Sequence, residues 1–248
     1  MKLTYHRAIL AGILILAVGF YTHGLDWGMP SLKTLRDGPV AFARSGFPPD
    51  SDLLESATAS LDRSIFPSIE NEGKTYLFSS YGPVFMYCYW IGAHIAGPLF
   101  DFVPFDTQTV RDQNLTRLVG RAVSALCAIL TLWITYRLGV KCFGPSTALL
   151  AIFFLALMPM SIQAAHIATV DGLLSLGTAL ICLLSLQIIH RGNFADYIWV
   201  GIVVGISSAT KLNGLVLAAA PAIAHLLHFV LPVEPRTWLP GIWSSAAD

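Results

Sequence analysis

ALLAIFFLALMPMSIQAAHIATVDGLLSLGTALICLLSL, residues 148–186, consists of two long apolar runs on either side of a short polar joint. Each run approaches the roughly 20 residues a helix needs to cross a bilayer. Asp171, in the joint, is the only formally charged residue between Lys141 and Arg191. A carboxylate at the bilayer centre costs about 2.5–3.5 kcal/mol and much less near an interface. Asp171 therefore either marks a turn at the membrane surface or is buried for a purpose. Both readings predict an all-α, polytopic transmembrane helix bundle.

Composition agrees. The chain is 55% hydrophobic and 12% charged, with a mean hydropathy of +0.65, against roughly 25% charged in soluble domains. Zero formal net charge gives no basic patch for nucleic acid. Cys88, Cys127, Cys142 and Cys182 have neither metal-ligand nor redox spacing and read as small packing residues without disulfides.

Lys2, His6 and Arg7 precede an apolar run over residues 8–20, and no small-x-small cleavage site follows. This reads as an uncleaved first span with a cytoplasmic start. A long polar stretch, about 24–116, comes next. Between Asp26 and Lys74 it carries eight acidic and five basic side chains. Within it, 53–61 places Leu53, Leu54, Ala57 and Leu61 on one helical face. Pro48-Pro49 blocks helix before it, and Asp50 or Ser51 is positioned to cap it. Residues 82–100 are apolar and aromatic. Further spans are predicted at about 117–136, 147–165, 172–189, 197–210 and 213–231, with basic turns at 136–141 and 190–193.

Parity decides sidedness. If 82–100 crosses, the basic turns holding Arg137, Lys141 and Arg191 fall outside. If it lies in the interface or re-enters, they fall inside, as the positive-inside bias favours, and Phe85, Tyr87, Tyr89 and Trp90 suit an interfacial helix. The chain then has about six spans and an outer loop bearing juxtamembrane helices. Asp171, Lys211, Arg117 and Arg121 gather on the outer face.

Carboxylates beside membrane-edge cations suit chemistry on a lipid-linked phosphate. The cations hold the leaving phosphate, and a carboxylate takes the proton of an acceptor hydroxyl. Plainer readings stand beside this one. Arg117 and Arg121 serve equally as interfacial anchors, Lys211 as a loop lysine, Asp171 as a helix cap, and Asp50 as a solvated charge.

The order of features narrows the choice. After a first span and an outer-loop Pro49-Asp50 come an aromatic segment at Tyr81-Gly82-Pro83 and Arg117-x-x-x-Arg121. Then follow Tyr-Arg-Leu-Gly-x-Lys-x-Phe-Gly (136–144), Met158-Pro159, His-x-Ala-Thr-x-Asp-Gly-Leu-Leu (166–174) and Gly-x-x-x-Gly-x-x-x-Ala-Thr-Lys (201–211). Over about residues 8–231 this resembles the N-terminal part of a GT-C type membrane glycosyltransferase. More narrowly, it is similar to the protein O-mannosyltransferase and aminoarabinose transferase group, which uses dolichyl- or polyprenyl-phosphate sugars. The resemblance implies a multi-pass enzyme with its active face periplasmic, extracellular or ER-luminal. Its donor is a polyprenyl-phosphate sugar, and its acceptor a hydroxyl on protein, lipid or glycan. Asp50 takes the place of the general base and Asp171 that of a second acidic position near the site. Lys211 falls near the donor phosphate, with Arg117, Arg121, Asp52 and His166 as further substrate-binding candidates.

The chain departs from the family pattern in three places. Ser51 replaces the usual Glu, which leaves a divalent metal role open with Asp52 as the nearest substitute. Val84 replaces a second proline. The chain also ends at Asp248 after a Pro/Trp-rich tail (232–248), where relatives continue with further spans, so residues 1–231 read as the N-terminal module of a longer enzyme. Two rival functions remain: a transporter-like protein with Asp171 and His166 as intramembrane polar groups, and a non-catalytic membrane homologue.

Overall fold

The computed structural model describes residues 2–26, 29, 49–71, 73–78, 81–106 and 108–230. The tail over 232–248 lies outside them. Nine α-helices and one small hairpin make up the described fold: α1 (Lys2–Thr22), α2 (Pro49–Ala59), β1 (Ser68–Asn71), β2 (Lys74–Leu77), α3 (Val84–Phe100), α4 (Val110–Phe143), α5 (Pro145–Leu157), α6 (Pro159–His166), α7 (Val170–Arg191), α8 (Phe194–Thr210) and α9 (Ala219–Val230). Short 3-10 turns follow α2 (Ser60–Asp62) and precede α9 (Leu212–Ala218).

Four helical stretches are long and apolar enough to cross a bilayer, and the bent pair α5–α6 makes a fifth. With 17 residues, α8 is shorter. It still runs from one end of the bundle to the other, because α7 before it and the Leu212–Val230 stretch after it do so. Large apolar side chains such as Ile15, Phe154 and Leu226 are exposed on these helices, as expected where the solvent is lipid.

Side-chain contacts sort the helix termini into two groups. At one end, Arg121 on α4 donates to the Leu25 carbonyl just past α1, and His166 closes α6 against the His23 carbonyl at 2.9 Å. At the other end His6 lies 3.4 Å from the Ser146 hydroxyl. There Gly139 lets the start of α5 approach closely, and His228 on α9 meets the Ile189 carbonyl. Gly144 and Gly192, both at positive φ, terminate α4 and α7 at that end, as C-capping glycines do.

The parity question over 82–100 has a structural counterpart. The 34 residues of α4 extend about 51 Å at 1.5 Å per residue, well beyond a hydrocarbon core of about 30 Å. The overhang is its polar N-terminal part, and α3 packs antiparallel along that part. A Cβ on Gly120 would meet the Tyr89 ring at 2.7 Å, and one on Gly92 would meet Val119. Arg111 donates to the Asp101 and Phe100 carbonyls at the top. Both ends of α3 thus sit at the same end of the bundle, and α3 does not add a crossing.

Several boundaries differ from the sequence expectations. The span at 147–165 is broken, with α5 and α6 meeting at 59°. Pro159 has no N–H to give and drives Met158 to an extended backbone (φ −66°, ψ 122°), out of the helical region. The basic turn at 136–141 is helical, and the true turn is Gly144-Pro145. Pro49 opens α2, so Asp50 and Ser51 lie inside its first turn rather than at the cap. The hairpin over 68–77 was not expected. Its strands pair antiparallel with Asn71 opposite Lys74, and Gly73 at φ 73° turns the chain, as two-residue hairpin loops require.

Three apolar clusters hold the bundle. One joins α1, α4, α5 and α6 around Tyr21, Leu132 and Ile152, and another joins α7, α8 and α9 around Ile181, Ile188 and Val200. The third caps the end where the charged residues collect, bringing Leu54 and Ala57 of α2 against Phe85, Met86 and Tyr89 of α3 and Val170 of α7.

Candidate functional site: a charged layer at one end of the bundle

Lys211 and Asp171 meet at this end. The Lys211 ammonium donates to Asp171 Oδ1 at 2.9 Å, and the two side chains are 30% and 58% exposed. Asp171 is in the first turn of α7, where the helix dipole favours a carboxylate. Thr169, not Asp171, holds the N-cap position, and no side chain caps the helix there. The helix-cap reading therefore gives way to a carboxylate directed at Lys211. Lys211 follows α8 in extended conformation (φ −153°, ψ 132°), which turns its side chain out of the helical path.

Tyr81 and Gly82 complete this corner. The Lys211 ammonium lies 5.6 Å from the centre of the Tyr81 ring, within cation–π range. The Gly82 N–H donates to the Thr210 carbonyl at 2.9 Å. A Cβ on Gly82 would fall 1.8 Å from the Ala209 carbonyl oxygen. Glycine at 82 is what allows the Tyr-Gly-Pro segment to lie against the Ala-Thr-Lys turn. The Asp171 hydrogen bond, the first cause, raises the Lys211 pKa from its ordinary value, with partial burial opposing it. Lys211 is therefore positively charged throughout the neutral range.

Arg117 lies in a different contact. Its Nε donates to Glu55 Oε2 at 2.6 Å, with both side chains largely enclosed at 12% and 15% exposed, so this pair fastens α2 to α4. Glu55→Gln keeps the shape but removes the charge-assisted bond, and unfolding of the detergent-solubilised protein should register a loss of about 1–2 kcal/mol. An unchanged denaturation midpoint would show that the pair contributes nothing. Arg121, one turn further along α4, is buried and tied to the Leu25 carbonyl. His166 has the Ile162 and His23 carbonyls 2.8 and 2.9 Å from its two ring nitrogens, which anchors the end of α6 to the end of α1. Thr116, also on α4, is fully buried and accepts from the Phe105 N–H.

Asp50 and Asp52 lie in the first turn of α2, and their side chains are outside the described residues. Among the described residues no three His, Cys, Asp or Glu side chains come together to hold a metal ion. Sequence reasoning passed over two participants, Glu55 and Asp62, and took Tyr81-Gly82 as part of the family pattern without its dock on the Ala-Thr-Lys turn. Asp62 accepts from Trp90 Nε1 at 2.7 Å and lies 3.3 Å from His94 Nε2. The only sequence signal for Glu55 was its place three residues after Asp52 on an amphipathic segment.

Beyond Glu55 and Arg117 opens a cavity of about 650 Å³ between α2, the hairpin and the start of α4. It is lined chiefly by polar side chains.

Fold and site together define an integral membrane protein with a charged layer at one end of an all-α bundle. The family model for dolichyl-phosphate-mannose-protein mannosyltransferase matches residues 112–243, just over half of the chain. The chain belongs to that family, whose members are membrane glycosyltransferases of the GT-C type. The match takes in Arg117, Arg121, His166, Asp171 and Lys211, whereas Asp50 and Asp52 precede it. No curated protein and no solved structure showed a significant match.

Proposed function

We propose that the protein transfers a sugar from a polyprenyl-phosphate donor to an acceptor hydroxyl on the non-cytoplasmic side of its membrane. The observation that carries this reading is the Lys211–Asp171 pair, exposed beside Tyr81 at the end of the bundle opposite the basic turns. The acceptor oxygen attacks the anomeric carbon. A bond from that carbon to the acceptor forms as the bond to the phosphate oxygen breaks, and the polyprenyl phosphate leaves with the electron pair. Lys211 offers a point charge to the phosphate as negative charge develops on it. Asp171 positions Lys211 and yields part of its hold when the phosphate arrives. Asp50 accepts the proton of the acceptor hydroxyl, a role that rests on the resemblance alone. Arg117, Arg121 and His166 hold α2, α1 and α6 in register around the site, and Asp52 stands as a second carboxylate beside Asp50.

Sidedness follows from charge. Arg7, Arg137, Lys141 and Arg191 belong to the end opposite Lys211, and basic residues favour the cytoplasm. A reporter placed after Arg191 should read cytoplasmic, and a periplasmic or luminal reading would invert the scheme. The activity itself is tested with the full-length protein in membranes, given labelled polyprenyl-phosphate mannose and peptide, lipid and glycan acceptors. Label should appear on an acceptor. Failure to transfer to any of them, from this donor and from other polyprenyl-phosphate sugars, would overturn the proposal.

A further inference from the structure

We propose that the cavity between α2, the hairpin and α4 binds an oligosaccharide, and that the acceptor hydroxyl is therefore carried by a glycan. The second clause rests on the transferase reading above; the first stands on the cavity alone.

The lining argues for a polyhydroxylated ligand. At about 650 Å³ the space is within the range of roughly 300–1,000 Å³ that small-molecule sites occupy. Glu55 and Arg117, paired with each other, form one side of it, and Arg63 and Glu70 bring a second guanidinium and a second carboxylate to the lining. Carboxylates accept from sugar hydroxyls, and the guanidinium fork donates to two neighbouring oxygens at once. Ser56, Ser68 and Thr75 add hydroxyl-bearing residues to the lining, and Phe105 is its one aromatic residue, a flat surface for the C–H face of a pyranose.

The same lining disfavours a peptide. Extended peptides are taken by an open strand edge, an apolar groove with side-chain pockets, or an aromatic-lined polyproline groove. Here β1 has one edge paired to β2 and packs against α2, and only Thr75 of β2 reaches the cavity. Ala59, Ile69 and Phe105 are the only apolar side chains in the lining, too few for a chain of side-chain pockets.

Placement connects the cavity to the chemistry. Glu55 and Ser56 lie on the same helix as Asp50. Glu55 is five positions after Asp50, about 7.5 Å along the helix axis. A glycan lying in the cavity and extending along α2 brings its terminal hydroxyls toward the first turn of α2.

The test uses the full chain in lipid nanodiscs, with mannotetraose and a Ser/Thr-rich peptide as probes and saturation-transfer NMR as the readout. Mannotetraose should bind, and the peptide should not displace it. Arg63→Ala and Glu70→Ala are both exposed positions outside the apolar clusters. Each should weaken binding about tenfold, the worth of one charge-assisted hydrogen bond, while Lys74→Ala on β2, outside the cavity, should not. Displacement by the peptide, absence of oligosaccharide binding, or binding indifferent to Arg63 and Glu70 would each overturn the inference. Donor binding by polyprenyl-phosphate mannose is measured on the same samples. If the donor binds and the oligosaccharide does not, only this inference falls. If the oligosaccharide binds and the donor does not, the cavity assignment survives and the transferase reading fails.

Discussion

Lys211→Met removes transfer almost completely, by about 10²–10³-fold, the effect of deleting one preorganised donor to a developing oxyanion. The fold should survive the change. A pair as exposed as Lys211–Asp171 contributes about 0–1 kcal/mol, and methionine keeps the length of the side chain against Tyr81. Lys211→Arg should recover part of the rate, because a guanidinium also serves phosphate but spreads its charge over a fork. The loss should fall on kcat and on donor KM together, because the ammonium holds the phosphate in the ground state and more strongly as it leaves. An Asp50→Asn enzyme separates from this pattern: donor KM stays put and kcat falls. Wild-type turnover in Lys211→Met would place the phosphate elsewhere. A pH series adds an independent check. Asp171 raises the Lys211 pKa, so whatever stability the pair contributes is fully present below the unfolded lysine value of about 10.4. It is lost as pH rises through the higher folded value. Between pH 6 and 9 the Lys211 charge is constant, and any activity change in that window belongs to another group.

The sequence made the crossings legible and left their details hidden. Apolar runs between basic or glycine turns report helices that lipid surrounds, because every backbone group there must bond internally. What blurred the boundaries was residues with two uses. Gly139 looks like a turn in 136–141, yet it is helical, and its missing side chain lets Ala148 of α5 come close. Pro159 falls inside what reads as one span over 147–165, yet Met158 before it is extended and the chain resumes as α6 at 59°. The hairpin over 68–77 escaped because its strands are four residues each and largely polar, too short for alternation to stand out.

The site was legible as a set of groups on one face and not as pairs. Asp171 and Lys211 are forty residues apart, and only parity and the family pattern brought them together. Arg117 and Arg121 share a helical face, one turn apart, so sequence treats them alike. The structure separates them, because the upper turn of α4 faces Glu55 on α2 and the next faces the end of α1. No local rule foresees Glu55 across sixty-two residues.

Gly82→Ala tests whether that corner is built as described, and it should cost about 3 kcal/mol or more. Overpacking a tight site typically costs about 1–3 kcal/mol when side chains can yield. Here the new methyl group would lie 1.8 Å from the Ala209 carbonyl oxygen and 2.5 Å from its carbon. Both are backbone atoms at the end of α8, so relief requires α3 and α8 to separate. Separation would stretch the Gly82–Thr210 hydrogen bond and withdraw the Tyr81 ring from Lys211. Two readouts should move together: the unfolding midpoint falls, and transfer falls toward the level of Lys211→Met. Tyr81→Leu supplies the control, since it removes the ring without forcing the backbones apart. Its stability loss should be smaller, with activity reduced only through the lost cation–π contact. A Gly82→Ala protein as stable and active as the wild type would mean that the Tyr-Gly-Pro segment does not rest on the Ala-Thr-Lys turn, and that Lys211 is set by Asp171 alone.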